Sequence, residues 1–267
     1  MKTMTLSQGV MGGGFIRNGG GRDTATADEA NRFRGRFARV RSAEAVRTSG
    51  SVAEHILTVR EATDTADLDA VYRLTHDAFL EQGYCEPQPD GRLIHYPHLE
   101  GLPETTALVA EENGEIVGTN SVTLDGPAGL HVDVDFKTEC DRIRAECSAL
   151  GRSLGASWRI ATKRSCRSAT AVIKGLIRET VRRFVAGSVE TVVFTFNPRH
   201  ERIYKRLLNM TTIARHGGTV QGLNNAPAVF MRWDLETCPD QWLRTRDEFA
   251  RREAARARNQ VEWERRS

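Results

Sequence analysis

Two stretches of the chain hold side chains whose types and spacing suit chemistry. In NPRHERIYKRLL (197–208), Tyr204 lies one helical turn after His200, so a base and a hydroxyl donor share one face. An imidazole has an unperturbed pKa of about 6.5 and is mostly neutral at pH 7, which fits His200 to accept a proton. The second stretch is Thr162, Lys163, Arg164, Ser165, Cys166, Arg167 and Ser168, with Lys174, Arg178, Arg182 and Arg183 following it. These are point charges of the kind that meet a phosphate or an acidic surface. No glycine lies between Lys163 and Ser168, so the stretch gives little support for a backbone cradle around a pyrophosphate. Plainer readings stand beside these: a tyrosine with its hydroxyl in solvent, a capping histidine, and a helix whose outer face is simply charged.

Other chemistries find little support. The five cysteines (Cys85, Cys140, Cys147, Cys166, Cys238) form no CxxC pair and no zinc-type spacing, and read as reduced thiols. His76, His95 and His98 have no mutual spacing that forces a metal site, so no metal is assigned. A net charge of +3 is too small to imply a nucleic-acid partner. No apolar run approaches the roughly 20 residues of a membrane span, and the start lacks a signal-like apolar core, so a cytoplasmic location is expected.

The elements that must position these residues follow from patterning. Residues 1 to 50, rich in Gly, Ser and Arg, are expected to be a disordered, dispensable tail. A strand at 55–60 precedes a helix capped by Asp64 or Thr65, with Leu68, Val71, Tyr72, Thr75 and Phe79 inward and Gly83 closing it. A polar loop with Pro87, Pro89, Pro97 and Pro103 leads to two strands around Asn113-Gly114, a tight-hairpin dipeptide. Phe136, Cys140, Ile143, Cys147 and Leu150 mark one face of a helix over 135–150. A short strand at 158–162 follows, then a helix over 168–186 and the continuous apolar run of 191–196, which suits a strand covered on both faces. A helix over 200–208, strands near 211–215 and 228–235, and a charged C-terminal helix over 237–267 with Trp242, Phe249 and Ala250 docking complete the α/β order. The working division is a tail (1–50), a domain (51–236) and that helix.

This order, with particular residues, resembles the N-acyl amino acid synthase family, relatives of the acyl-homoserine lactone synthases within the GCN5-related N-acetyltransferase fold. The segments that carry the resemblance are LPETTALVAEENGEIVGT (102–119), the spacing of Asp125, Pro127, Gly129, Leu130, Asp133 and Phe136, and NPRHERIYKRLL. The resemblance covers roughly residues 55 to 236 and implies a mixed sheet with flanking helices. It also implies that the strands before and after the 168–186 helix splay apart, leaving a gap for the pantetheine arm of a thioester. Tyr204 takes the position of the fold's tyrosine donor, with His200 and Glu104 as further catalytic candidates. Trp158, Arg159, Ala161, Asn197, Arg199, Asp125 and Asp133 are expected to bind substrate, and Thr162, Lys163, Arg164 and Arg167 to bind the carrier and its phosphopantetheine. One departure stands out: Ala156 occupies the place where the family usually has a Glu on this strand.

The reaction implied is transfer of a long-chain fatty acyl group from acyl carrier protein to the amino group of an amino acid or similar small amine. The donor is then an acyl-phosphopantetheine substrate, and no bound cofactor is implied. An acyl-coenzyme A transferase and a non-catalytic acyl-carrier or lipid-binding module are the alternatives, the latter raised by the missing Glu.

Overall fold

The computed structural model describes residues 57–216 and 226–264, so the expected tail at 1–50 lies outside the described residues. Strand β1 (Leu57–Glu61) leads to helix α1 (Thr65–Glu81), whose N-cap Asp64 accepts a hydrogen bond from the Asp67 amide at 2.8 Å. Strands β2 (Thr105–Glu112) and β3 (Glu115–Leu124) form the hairpin, with Asn113 and Gly114 at φ of 55° and 82°. Helix α2 (Asp133–Ala149), strand β4 (Ser153–Thr162), helix α3 (Ala169–Ala186) and strand β5 (Val189–Phe196) follow. Helix α4 (Glu201–Leu208), strands β6 (Thr211–His216) and β7 (Ala228–Asp234) and helix α5 (Asp240–Glu264) end the described chain.

The seven strands make one mixed sheet in the order β1-β2-β3-β4-β5-β7-β6, and β4 with β5 is its one parallel pair. That pairing is short. It runs through Ser153–Val189, Leu154–Thr191, Gly155–Val192 and Ala156–Val193, and stops, although β4 continues to Thr162 and β5 to Phe196. The expected splay is therefore present, with Ala156 on its last rung.

Two apolar layers hold the sheet. On one face α3 packs through Val172, Leu176, Val181 and Phe184, so tightly against β3 that a Cβ on Gly118 would lie 2.5 Å from a Val172 methyl. On the other face α2 covers Leu154, Ala156, Val193 and Phe230 with Leu130, Phe136, Cys140, Ile143 and Cys147. Cys140 and Cys147 thus share the buried helix face, whereas Leu150 is 58% exposed just past the helix end. Helix α5 is not a separate charged appendage. Trp242 and Phe249 join the first core layer and the Trp242 indole donates to the Leu207 carbonyl at 2.9 Å, while Ala250 faces solvent. A two-residue apolar anchor suffices to dock an otherwise charged helix because each aromatic ring buries a large area. Among the described residues no helix is long and apolar enough to cross a membrane.

Two stability measurements test this packing. Trp242→Ala removes a buried ring and leaves a carbonyl without its donor, and should cost about 3–5 kcal/mol in urea unfolding. Ala156→Glu would place a carboxylate among Leu154, Phe136 and Phe230, and should cost about 3–5 kcal/mol as an unpaired buried charge, without restoring any site. A variant as stable as the parent would show that position 156 faces the gap rather than the core.

Candidate active site

Strand β4 changes character at its bulge. Ser121 pairs with Trp158 and Thr119 with Ala161, so Arg159 and Ile160 together oppose Asn120. Such a two-against-one bulge re-aims a side chain. Arg159 takes φ of 59°, a left-handed conformation costly for a residue with a Cβ, and its side chain lands on the same face as Trp158. Its guanidinium lies 4.6 Å from the Trp158 ring and 5.5 Å from the Tyr72 ring. It donates to the Ser121 hydroxyl at 2.6 Å and pairs with the Glu100 carboxylate. Glu100 also accepts from the Tyr72 hydroxyl at 3.2 Å. The Arg159 side chain has 0% exposure and that of Glu100 15%, so Glu100 is the member of the pair that solvent reaches. Burial holds the Arg159 pKa below its ordinary value, with Glu100 opposing that shift.

Next to this pair the Pro-rich loop folds inward. Tyr96 is buried, with its ring edge-on to Trp158 at 5.3 Å and its hydroxyl in the neighbourhood of Thr195 of β5. Tyr96 therefore lies beside the point where the ladder of the two strands has ended. His95 stacks on it at 4.0 Å and His131 lies 5.4 Å away. The ring nitrogens of both histidines are sealed from solvent without a hydrogen-bond partner, and burial lowers each pKa to about 3. Both are neutral at physiological pH.

The opposite face of the gap belongs to β5 and α4. Thr195 and Phe196 point to opposite sides of the sheet, and Phe196 stacks on Tyr204 at 4.0 Å with an interplanar angle of 12°. Burial pushes the Tyr204 hydroxyl up to about 12, with no charge or hydrogen bond contributing, so it stays protonated and able to donate. His200 is less suited to its expected part. Burial and then Arg199 lower its pKa to about 4, and its Nε2 accepts from the Arg199 guanidinium at 3.2 Å. Asn197 uses its side-chain oxygen to cap the short turn after β5, accepting from the Arg199 amide at 3.1 Å, while Arg199 also donates to the Gln82 side chain.

The remaining candidates divide between the two ends of β4. At its start, Arg144 of α2 binds Asp125 at 2.6 Å and Asp133 at 2.9 Å, and Asp133 accepts from the Leu130 amide at 2.7 Å. Glu104 lies against Gly126 in the same region. Asp125 and Asp133 brace the entry to α2, and the start of β4 lies about 30 Å from its end at roughly 3.3 Å per residue. At that far end, Thr162, Lys163 and Arg164 line an open groove of about 1020 Å³ beside α1. Lys163 pairs with Glu115 at 2.5 Å and Arg164 with Glu81 at 3.0 Å, but the Arg164 side chain is 81% exposed, so its pair is easily exchanged. Arg167 is exposed beside them. The basic outer face of α3 is largely spoken for: Arg178, Arg182 and Arg183 pair with Glu248, Glu179 and Glu61. Ala161 is buried in the β3 ladder opposite Thr119. Glu100, Tyr96, Tyr72, His131 and Thr195 are site-lining residues that spacing did not reveal. The one signal for the loop was its two adjacent aromatic rings, His95 and Tyr96, in an otherwise polar stretch.

No curated protein matches the chain. The family described as "N-acyl amino acid synthase FeeM" matches residues 70–234, more than half of the chain. Among solved structures, FeeM, an N-acyl amino acid synthase from uncultured soil microbes, is 20% identical with a TM-score of 0.59, over 68% of this chain and 93% of that one. The AHL synthase LasI is 17% identical with a TM-score of 0.51, over 68% of this chain and 90% of that one. The two structures share the sheet and its flanking helices with this chain, and the family match adds the chemistry: the chain belongs to the N-acyl amino acid synthase family and is an N-acyltransferase.

Proposed function

We propose that the enzyme moves a long-chain fatty acyl group from acyl carrier protein to the amino group of an amino acid or a similar small amine. The observation that carries this reading is the gap beyond Ala156 and Val193, flanked by a protonated Tyr204 on one face and the Arg159–Glu100 cluster on the other. Backbone groups of β4 past the last rung have no β5 partner, and an extended pantetheine arm can pair with them as an added strand does. The neutral acceptor nitrogen attacks the thioester carbonyl and forms the carbon–nitrogen bond, the carbon–sulfur bond breaks with its pair going to sulfur, and the proton shed by nitrogen passes through solvent to the departing thiolate, leaving amide and thiol. Tyr204 contributes a hydrogen bond to the sulfur as charge grows on it. Lys163, Arg164 and Arg167 meet the single phosphate and the acidic surface of the carrier, a job that needs no glycine loop. The donor arrives as substrate, no resident cofactor is required, and a cytoplasmic location goes with this reading.

The direct test is mass-spectrometric detection of N-acyl products with acyl carrier protein or acyl-coenzyme A as donor and a panel of amino acids as acceptors. Tyr204→Phe should lower kcat by about 10²-fold with an unchanged thermal melt, because only a hydroxyl is lost from a stacked ring. Equal turnover would remove Tyr204 from the reaction. For the donor, the double variant Arg164→Glu and Arg167→Glu should raise KM for the carrier form at least tenfold and flatten its dependence on salt. A parent enzyme that prefers free acyl-coenzyme A would overturn the carrier assignment.

A further inference from the structure

Burying a guanidinium is costly, and the cost here is raised by a left-handed backbone at Arg159 and an Nε–H with no partner. The fold offsets this with one carboxylate, Glu100, brought in by the loop after the short turn Pro97–Leu99. Glu100 keeps part of its surface open while Arg159 has none, so the carboxylate is the half of the pair that an incoming cation can meet. The two polar contacts on Glu100, from Arg159 and the Tyr72 hydroxyl, leave carboxylate lone pairs unused. The pair sits on the unpaired half of β4, next to Trp158 and the Tyr96 ring packed edge-on against it. Nearby His95 and His131 are neutral, so this carboxylate is not matched by a second cation from them.

We infer that Glu100 is the specificity-determining carboxylate that receives the ammonium group of the acceptor, with Arg159 as the positioning residue that fixes it. The inference rests on the acyltransferase reading for the reaction, but the binding it describes does not require turnover. Glu100 supplies from a loop the negative charge that β4 lacks at Ala156, where the side chain is committed to the core. A cation docked on Glu100 lies on the α1 side of the gap, across from Tyr204 on the α3 side, with the thioester between them. The docked ammonium passes one proton to solvent before its nitrogen can attack, and the site favours acceptors that carry a small protonated amino group, amino acids included, over those that lack one.

The test uses Glu100→Gln, which keeps shape and removes charge, and the double variant Glu100→Gln with Arg159→Met, which also removes the buried cation in case the first variant folds poorly. Acceptor KM and acyl-donor KM are measured separately, and thermal-shift titrations with amino acids and with n-butylamine report binding without turnover. Both variants should raise acceptor KM, and weaken amine binding, about tenfold or more, the scale of a lost charge-assisted hydrogen bond, while donor KM holds. Glu100→Asp should recover part of the loss. If the parent turns over and acceptor KM moves less than twofold in both variants, Glu100 is structural and the inference falls while the acyltransferase reading stands. If the parent shows no turnover but amine binding is lost on substitution, the inference survives and the reaction assignment falls. Absence of both turnover and amine binding in the parent overturns both.

Discussion

Backbone hydrogen bonding between β4 and β5 stops at Ala156 and Val193, in the middle of the sheet, and most of what surrounds that point answers to it. A strand interior that loses its partner leaves amide and carbonyl groups facing one another across a space that solvent, side chains or a ligand must satisfy. Elsewhere the sheet is continuous, from β1 to β4 on one side and from β5 through β7 to β6 on the other, so the break divides two well-braced halves. Helix α3 connects those halves and packs on the same sheet face as α5, which fixes their spacing. Ala156 is small and apolar because the last rung lies under α2, where Leu154, Val193 and Phe230 close the core.

The region beyond the break is stabilised in an uneven way. Its α3 side is apolar, with Phe194, Phe196 and Tyr204 stacked in sequence. Its α1 side holds a buried ion pair, an indole, two unpartnered imidazoles and a buried tyrosine edge-on to the indole. Folding alone gains little from such an arrangement, since a buried ion pair is often no better than apolar packing of equal volume. Concentrated polar burial with unmet hydrogen-bonding capacity is what a binding cleft requires.

Much of the scaffold was legible in the sequence because it rests on local rules. Asn113-Gly114 declares its turn through backbone sterics, Asp64 its cap, and the α3 positions Val172, Leu176, Val181 and Phe184 their buried face. The splay was legible through resemblance. The surroundings of Arg159 were not, for physical reasons. Glu100 and Arg159 are 59 residues apart, so nothing in local spacing links them. The bulge that turns Arg159 sits in a run whose aromatic and β-branched residues read as plain strand. The loop over 82–104 looked polar and Pro-rich, a composition that conceals the inward turn of Tyr96 and Leu99. Asp125 and Asp133 were legible as a motif but not as a brace, since the Arg144 that binds them comes from the far part of α2.

The indole of Trp242 holds the last turn of α4 from 35 residues further along the chain. During translation at about 5–20 residues per second, the helix that carries Tyr204 therefore waits roughly 2 to 7 s for its anchor to be made. Chains still short of Trp242 already contain β1 to β7, and their α4 has Phe196 stacked on Tyr204 but lacks the indole donor at the Leu207 carbonyl. Anchoring of the α4 end is in this sense a late, C-terminally timed event in a protein whose sheet is complete before it.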